Sequence, residues 1–421
     1  MTMQTDIAIV GAGIAGLVAA NYAAKSGARV TLIEAQSVGG RARSRTVAEA
    51  TLNQGPHALY ADGVFREVLA ELAVGWTGAQ PDLSAAKAVW PEGVKKLPIS
   101  VADILSASSL DVLDKIQLVK LMSGLASGKS ALGEKSVADG LAPCRERVRL
   151  LMLALIRLAT YGNAPERLCA RAVAEQLRIS FSGVYYVDAG WSSLVDGLML
   201  AAVKSGVQLV DFSPVERLTR ENDGWQIRAA DRGDIEAKAL VLAIPPKEAS
   251  QLLPDSAELK RLSSQAIPFK MLGVDLTLSE LPDPACTFAL GIEKPFYYSL
   301  HSRTASLAPE GRHVVHLAKY LPIDGDVTPS DLAELEAWLD ALQPGWRAAE
   351  LGRQRLLSMP VVHDFPQVGR SRAPVELNGV GNAFLAGDWV GDEAMLSDAA
   401  AASGRRAGQM AARAVRQAFI A

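Results

Sequence analysis

The sequence predicts an α/β fold in which a parallel-sheet unit is interleaved with a second unit of mixed sheet plus a helical insertion. Three observations carry that prediction. Near the amino terminus an apolar run is followed by closely spaced glycines, an Ala-rich helical pattern and a second apolar run. Residues Ala102 to Arg178 lose strand alternation and show helix spacing, with Val148, Leu151, Met152 and Leu155 at i, i+3, i+4 and i+7. A strand-and-glycine pattern then returns at the far end of the chain, so the first unit is completed by distant sequence.

The 421 residues, at roughly 150 per domain, suit about two or three domains and a large core. The composition is 49% hydrophobic, 21% charged and 6% aromatic, as in ordinary globular proteins. Lys plus Arg total 43 against 46 Asp plus Glu, a net charge of -3, so no global positive field gathers phosphates and nucleic acid is not an expected partner. Cys144, Cys169 and Cys286 are far apart and form no metal-ligand spacing, which argues against a disulfide framework and a metal site. Met1 to Thr5 run directly into a strand without a signal-peptide pattern, and the longest apolar stretches fall short of the ~20 residues that cross a bilayer. The expected location is the cytoplasm, with peripheral membrane contact left open.

In chain order, Asp6 to Val10, the helix to Ser26 and Arg29 to Glu34 read as strand, helix, strand. Ser192 is placed to cap a helix that stops near Gly206. Val207 to Val210, Val215 to Thr219, Trp225 to Ala229 and Ala239 to Ile244 read as successive strands, with Asn222, Asp223 and Gly224 as a hairpin turn. Met271 to Leu278, Phe296 to Leu300 and His313 to Tyr320 suggest a second sheet, followed by a helix from about Ser330 to Leu342. Ala383 to Ala386 is a short strand, and an Ala/Arg-rich helix runs from about Ser397 to Phe419.

Gly11-Ala12-Gly13-Ile14-Ala15-Gly16 follows a strand and opens a helix, the context that makes GxGxxG a dinucleotide site of Rossmann type. Gly11 permits the turn, Gly13 lets a pyrophosphate approach the backbone, and Gly16 allows close helix packing. The helix N-terminus attracts phosphate. Glu34, eighteen residues after Gly16, is placed with Ala35 to take the adenosine ribose and to repel a 2'-phosphate.

Gly39-Gly40-Arg41-Ala42-Arg43 follows directly, and with it the chain resembles the flavoprotein superfamily of amine oxidases, phytoene desaturases and protoporphyrinogen oxidases. Asn53-Gln54-Gly55-Pro56-His57-Ala58, Phe212-Ser213-Pro214-Val215, Leu242-Ala243-Ile244-Pro245-Pro246 and Phe384-Leu385-Ala386-Gly387-Asp388-Trp389 are similar to further segments of that family in the same order.

The resemblance implies FAD. It implies that Gly40 and Arg41 approach the pyrophosphate and that Gly55, Pro56 and His57 form a turn beside the flavin. Val215 would contact adenine, and Gly387 and Asp388 the ribityl chain. Met395 and Leu396 would open a helix aimed at the flavin. The implied FAD-binding domain comprises 1–80, 186–248 and 361–421, and the substrate domain 81–185 and 249–360. No cysteine follows Cys286, so the covalent flavin link of some members is not expected, and FAD should be noncovalent. Ala394-Met395-Leu396 replaces the aromatic wall of an amine cage. Lys270 stands where some amine oxidases keep a lysine near flavin N5, and Lys270 and His57 are the two catalytic candidates. The aromatics of Phe296 to Leu300 and His316 to Tyr320 resemble those of phytoene-dehydrogenase-like proteins and are candidate pocket residues.

The expected activity is removal of hydride from a small hydrophobic or weakly polar substrate to FAD, with oxygen or another electron acceptor downstream. Two alternatives stay open: amine or amino-acid oxidation, and a non-enzymatic lipid carrier of the same fold.

Overall fold

The computed structural model describes residues 2–128, 133–221, 224–230 and 233–418. Its first layer is a five-stranded parallel sheet ordered Gln208–Val210, Val30–Ile33, Ile7–Val10, Ala239–Leu242, Ala383–Leu385. All but the edge strand Gln208–Val210 are buried on both faces, which is why they read as continuous apolar runs rather than alternating ones. Strands from three remote parts of the sequence thus form one sheet. Val215–Glu221 and Gly224–Ala229 pair antiparallel within a separate four-stranded sheet that Gly233–Ala237 and Met3–Gln4 complete; Asn222 and Asp223 of the expected turn lie outside the described residues, as does Phe419.

Two helices cover one face of the parallel sheet, and small residues set how closely they pack. Helix Ile14–Ala24 lies against helix Leu396–Ala418. A Cβ on Gly404 would stand 2.4 Å from the Ala15 carbonyl oxygen, and one on Gly408 2.4 Å from that of Ala19. The Gly404-x-x-x-Gly408 spacing therefore lets the backbones approach within van der Waals contact. Helix Ser192–Lys204 is present, but the Ser192 hydroxyl does not cap it; Ser192 Oγ accepts the Ser44 N–H at 2.7 Å, and Trp191 occupies the cap position without a side-chain bond.

The second layer is a seven-stranded mixed sheet ordered 350–362, 269–278, 313–320, 296–300, 288–291, 87–90, 93–96. The long strand Glu350–Val362 was not apparent in the sequence. It is an edge strand rich in charge, it carries Pro360, and Ser358 sits at φ 52°, so its ladder to Phe269–Leu278 shifts register. The helices Val101–Ser106, Val112–Ala126, Val137–Leu141, Glu146–Thr160 and Ala170–Phe181 pack against one face of this mixed sheet. Separate hydrophobic cores form beneath the parallel sheet and between these helices and the mixed sheet.

Gly404→Val should overpack the helix contact and cost about 1–3 kcal/mol. The check is a lower urea midpoint with an unchanged slope.

Candidate functional site

A single cavity of about 990 Å³ runs from the carboxyl ends of the parallel strands to the helical insertion. At its first end, Gly11 turns the chain at φ 99°, where a Cβ would meet the Ala243 carbonyl oxygen at 2.5 Å. Gly13 has nothing within 4 Å of a would-be Cβ, so its backbone faces open cavity. No side chain caps helix Ile14–Ala24, whose first-turn N–H groups point to that space; Gly13, Ile14 and Ala15 line it. Gly16 does not line the cavity. A Cβ there would lie 1.8 Å from the Gly11 carbonyl oxygen, so its bareness seats the helix on the turn. Glu34 closes this end, with Oε2 accepting the Ala12 N–H at 2.7 Å and Oε1 the Gln36 N–H at 2.9 Å. Its two oxygens are thereby fixed toward the cradle.

Farther along, Asp388 follows the last parallel strand and is fully enclosed. Its Oδ2 accepts Arg41 Nη2 at 2.8 Å and the His363 N–H at 3.3 Å, and Oδ1 lies 3.1 Å from His363 Nδ1. Burial acts to raise this carboxyl, but Arg41 and His363 outweigh burial and hold it well below the usual carboxylate range. Arg41 Nη1 also donates to the carbonyls of Pro360 and Val361. Its Nε–H and one Nη2–H are left for a ligand in the cavity that it lines.

A glycine turn with open space before it, an uncapped helix N-terminus, a carboxylate at the next strand end and a guanidinium with spare donors fit a dinucleotide. The model of the FAD dependent oxidoreductase family matches residues 6–404, almost the entire chain. The chain belongs to that family. Among solved structures, an oxidoreductase from Methanosarcina mazei is similar with a TM-score of 0.77 at 18% identity, covering 96% of this chain and 99% of that one. Putrescine oxidase bound to putrescine reaches 0.76 at 18%, covering both chains completely, and cyclohexylamine oxidase from Brevibacterium oxydans IH-35A 0.66 at 20%, covering 99% and 100%. At these identities the likeness shows the fold. No curated protein compared with the chain matches it.

For this flavoenzyme, FAD is the cofactor, and most of the residues expected to hold it come together around one space. Gly40, Arg41, Pro56, His57, Gly387, Asp388 and Leu396 line the same cavity as Gly11, Gly13, Ile14, Ala15 and Glu34. Ala35, Gly55, Val215 and Met395 do not line it. Val215 stands beside the Glu34 end, where the Ser213 N–H donates to the Glu34 carbonyl at 2.9 Å. Gly55 stays behind the wall at φ 84°, and a Cβ there would strike Met271 Cε at 2.2 Å. Met395 is buried beneath the helix start.

Lys270 is not brought to the cavity either. Strand alternation turns Met271 inward and Lys270 away, where Nζ lies 3.7 Å from Asp326. His57 does line the cavity, but Nδ1 is 3.0 Å from the Gly55 carbonyl and its ring packs on Trp191 at 4.7 Å. Burial pushes it down to about 4, so it is neutral at physiological pH.

The other end of the cavity is an uncharged chamber. Tyr60, Tyr161, Tyr186 and Tyr297 line it with Leu155 and Leu158 from the insertion. Tyr297 fulfils the expectation for the aromatic strand, whereas Phe296 and Tyr298 point to the opposite core. Burial pushes Tyr60 and Tyr186 up to about 12, so their hydroxyls stay protonated. Among the described lining residues the only acids are Glu34 and Asp388, both from the parallel sheet.

Three supports escaped sequence reasoning. His363 holds Asp388. Asp275, in the middle of a strand, accepts the Gly55 N–H at 3.2 Å, Gln354 Nε2 at 2.7 Å and His316 Nδ1 at 2.6 Å, and so anchors the turn at Gly55 from behind. An acid and a histidine within strand patterns were the available signal. Arg372, buried, donates Nη1 to the Asp388 carbonyl at 2.9 Å and Nη2 to that of Ala394 at 2.6 Å. Ala394 and Leu396 have φ of 59° and 57°, strained for residues other than glycine, so Arg372 clamps the loop that delivers the long helix to the cavity.

Arg372→Met should therefore weaken FAD retention by about tenfold or more, and adding Ala394→Gly should restore part of the loss because glycine adopts this φ freely; equilibrium flavin fluorescence reads both.

Asp398, two residues into that helix, accepts the Phe65 N–H at 2.8 Å through Oδ1 while Oδ2 is buried without a partner. Burial, followed in size by the opposing Phe65 bond and then repulsion from Glu67, leaves its carboxyl raised to about 7. Because the native chain holds that proton more tightly than the unfolded chain, stability should fall as pH rises from about 4 to about 7. Asp398→Asn, which keeps the bond from Phe65, should flatten that slope in urea titrations across the window.

Proposed function

We propose that this enzyme removes a hydride from a carbon of a small apolar or weakly polar organic substrate, passes it to noncovalently held FAD, and is reoxidised by oxygen or another acceptor. The observation that carries this reading is the uncharged chamber continuous with the dinucleotide cradle. When bound, FAD supplies the two-electron acceptor. The chain's residues do the rest by placement: the tyrosines and leucines exclude water and hold a C–H bond, the turn at Gly55 is fixed by Asp275, and the clamped helix brings its positive end to the same wall. Proposed with it is a division into an FAD-binding unit of 1–80, 186–248 and 361–421 and a substrate unit of 81–185 and 249–360; the separate cores support it except near two boundaries, where Ala249, Leu259 and Leu262 pack in the parallel-sheet core and Val362 and Phe365 in the other.

Noncovalent attachment is supported by the position of Cys144, Cys169 and Cys286, none of which lines the cavity. Two structural neighbours are named as amine oxidases. Amine oxidation fits this chain less well, because a cationic substrate would be desolvated in the chamber with no carboxylate beside it.

Denaturing the purified protein and removing the precipitate should leave free FAD in the supernatant. In anaerobic stopped flow, apolar alcohols, alkenes and ketones should bleach the flavin, and amines should do so at least about a hundredfold more slowly. Flavin that stays on the polypeptide overturns the attachment, and bleaching by amines alone overturns the substrate class.

A further inference from the structure

Five large apolar side chains lie exposed on two consecutive helices of the insertion. Val101 and Leu105 are one turn apart on Val101–Ser106, and Val112, Leu113 and Ile116 share the first half of Val112–Ala126. Leu105 is 62% exposed and Val112 72%. The two helices meet there, since Lys115 Nζ donates to the Leu105 carbonyl at 2.8 Å. A cluster of this kind on a globular surface marks something that covers it.

The same face leads into the cavity. At about 100° per residue, Val112, Ile116, Ser123 and Ala126 fall within an arc of about 80° on one side of their helix. Ser123 and Ala126 line the cavity, as do Val101 and Ile104 of the neighbouring helix. The exposed stripe therefore begins in solvent and ends at the rim of the chamber.

Charge around the stripe is positive on balance. Most carboxylates of this region are matched: Asp103 by Lys96, Asp111 and Asp114 by Arg145, and Glu92 by Arg147, while Glu146 faces the cleft beside Lys95. Among the described residues, Lys95, Lys115 and Lys120 pair with no carboxylate. Lys120 falls on the same face as Ile116, one turn on, and Lys95 borders a surface cleft with Leu110 and Asp111. Unmatched lysines flanking exposed aliphatic residues complement an anionic headgroup layer over acyl chains. A membrane span is not involved, because among the described residues no helix is long and apolar enough to cross a bilayer.

We propose that the Val101–Ile116 surface docks on an anionic lipid bilayer, placing the rim of the chamber at the acyl boundary so that an apolar substrate passes between membrane and enzyme without crossing water. The route of the substrate rests on the apolar-substrate reading above; the docking itself does not, and vesicle binding requires no turnover.

The test is sedimentation of the full-length, flavin-loaded protein with vesicles of phosphatidylcholine alone and of equimolar phosphatidylcholine and phosphatidylglycerol. Binding is expected to the mixed vesicles, to weaken with salt, and to fall about tenfold or more in Leu113→Glu/Ile116→Glu. Lys95→Ala/Lys120→Ala should lower it several-fold for the anionic vesicles only. Leu200→Glu, an equally exposed position on another helix, should bind as the parent does. Retained flavin absorbance and an unchanged thermal midpoint show that each variant is folded. Failure of the parent protein to bind either vesicle, or unchanged binding by Leu113→Glu/Ile116→Glu, overturns the proposal. So does a dimer in solution that those two substitutions dissolve, which would make a second copy of the chain the occupant. A silent substrate panel alongside normal vesicle binding would count against the substrate class and leave docking standing.

Discussion

Asp388 is a buried carboxylate, and a buried charge persists only when it is paired and hydrogen-bonded. Its partners come from opposite ends of the fold: Arg41 from the loop after the second parallel strand, and His363 from the end of the long edge strand of the mixed sheet. Arg41 simultaneously holds the carbonyls of Pro360 and Val361. One ionic node thus fixes the distance between the two sheets, and the cavity is the space that this distance leaves open. Arg372 extends the node by tying the Asp388 and Ala394 carbonyls together, which carries the constraint on to the long carboxyl-terminal helix.

Polarity is sorted along the cavity by the same architecture. Strand ends and helix N-termini of the parallel sheet expose N–H groups, and the charged side chains gather there. The helices of the insertion satisfy their own backbone groups and offer only side chains, which here are mostly apolar or aromatic, with a few serine hydroxyls and no charge. In the proposed function a dinucleotide and an apolar substrate therefore take separate ends of a common space, and chemistry is confined to where they meet. Burial keeps His57, Tyr60 and Tyr186 neutral, so they contribute shape and hydrogen bonds rather than charge.

The nucleotide cradle was legible because its requirements are local. A turn at φ 99°, an unobstructed backbone and a carboxylate at the next strand end are conditions on neighbouring residues, and Gly11, Gly13 and Glu34 meet them within one strand-helix-strand unit. Lys270 shows where local reading stops. Its side chain and that of Met271 differ by one step of a strand, and the face that meets the cavity is chosen by pairing with strands 313–320 and 350–362. The second of those strands, interrupted by Ser358 and Pro360, left no clear periodicity from which to choose.

By itself the sequence determined the α/β class, the glycine turn between strand and helix at the amino terminus and the helical character of the insertion, because glycine spacing and hydrophobic period are properties of contiguous residues; the expectation at Asp388 came from the family resemblance. The tertiary structure decided which side chains face the chamber, that Asp275 and Arg372 support the wall from behind, and that the chamber carries no charge. Those outcomes depend on residues hundreds of positions apart meeting in register. Only packing of the two sheets around a common ionic node brings them together.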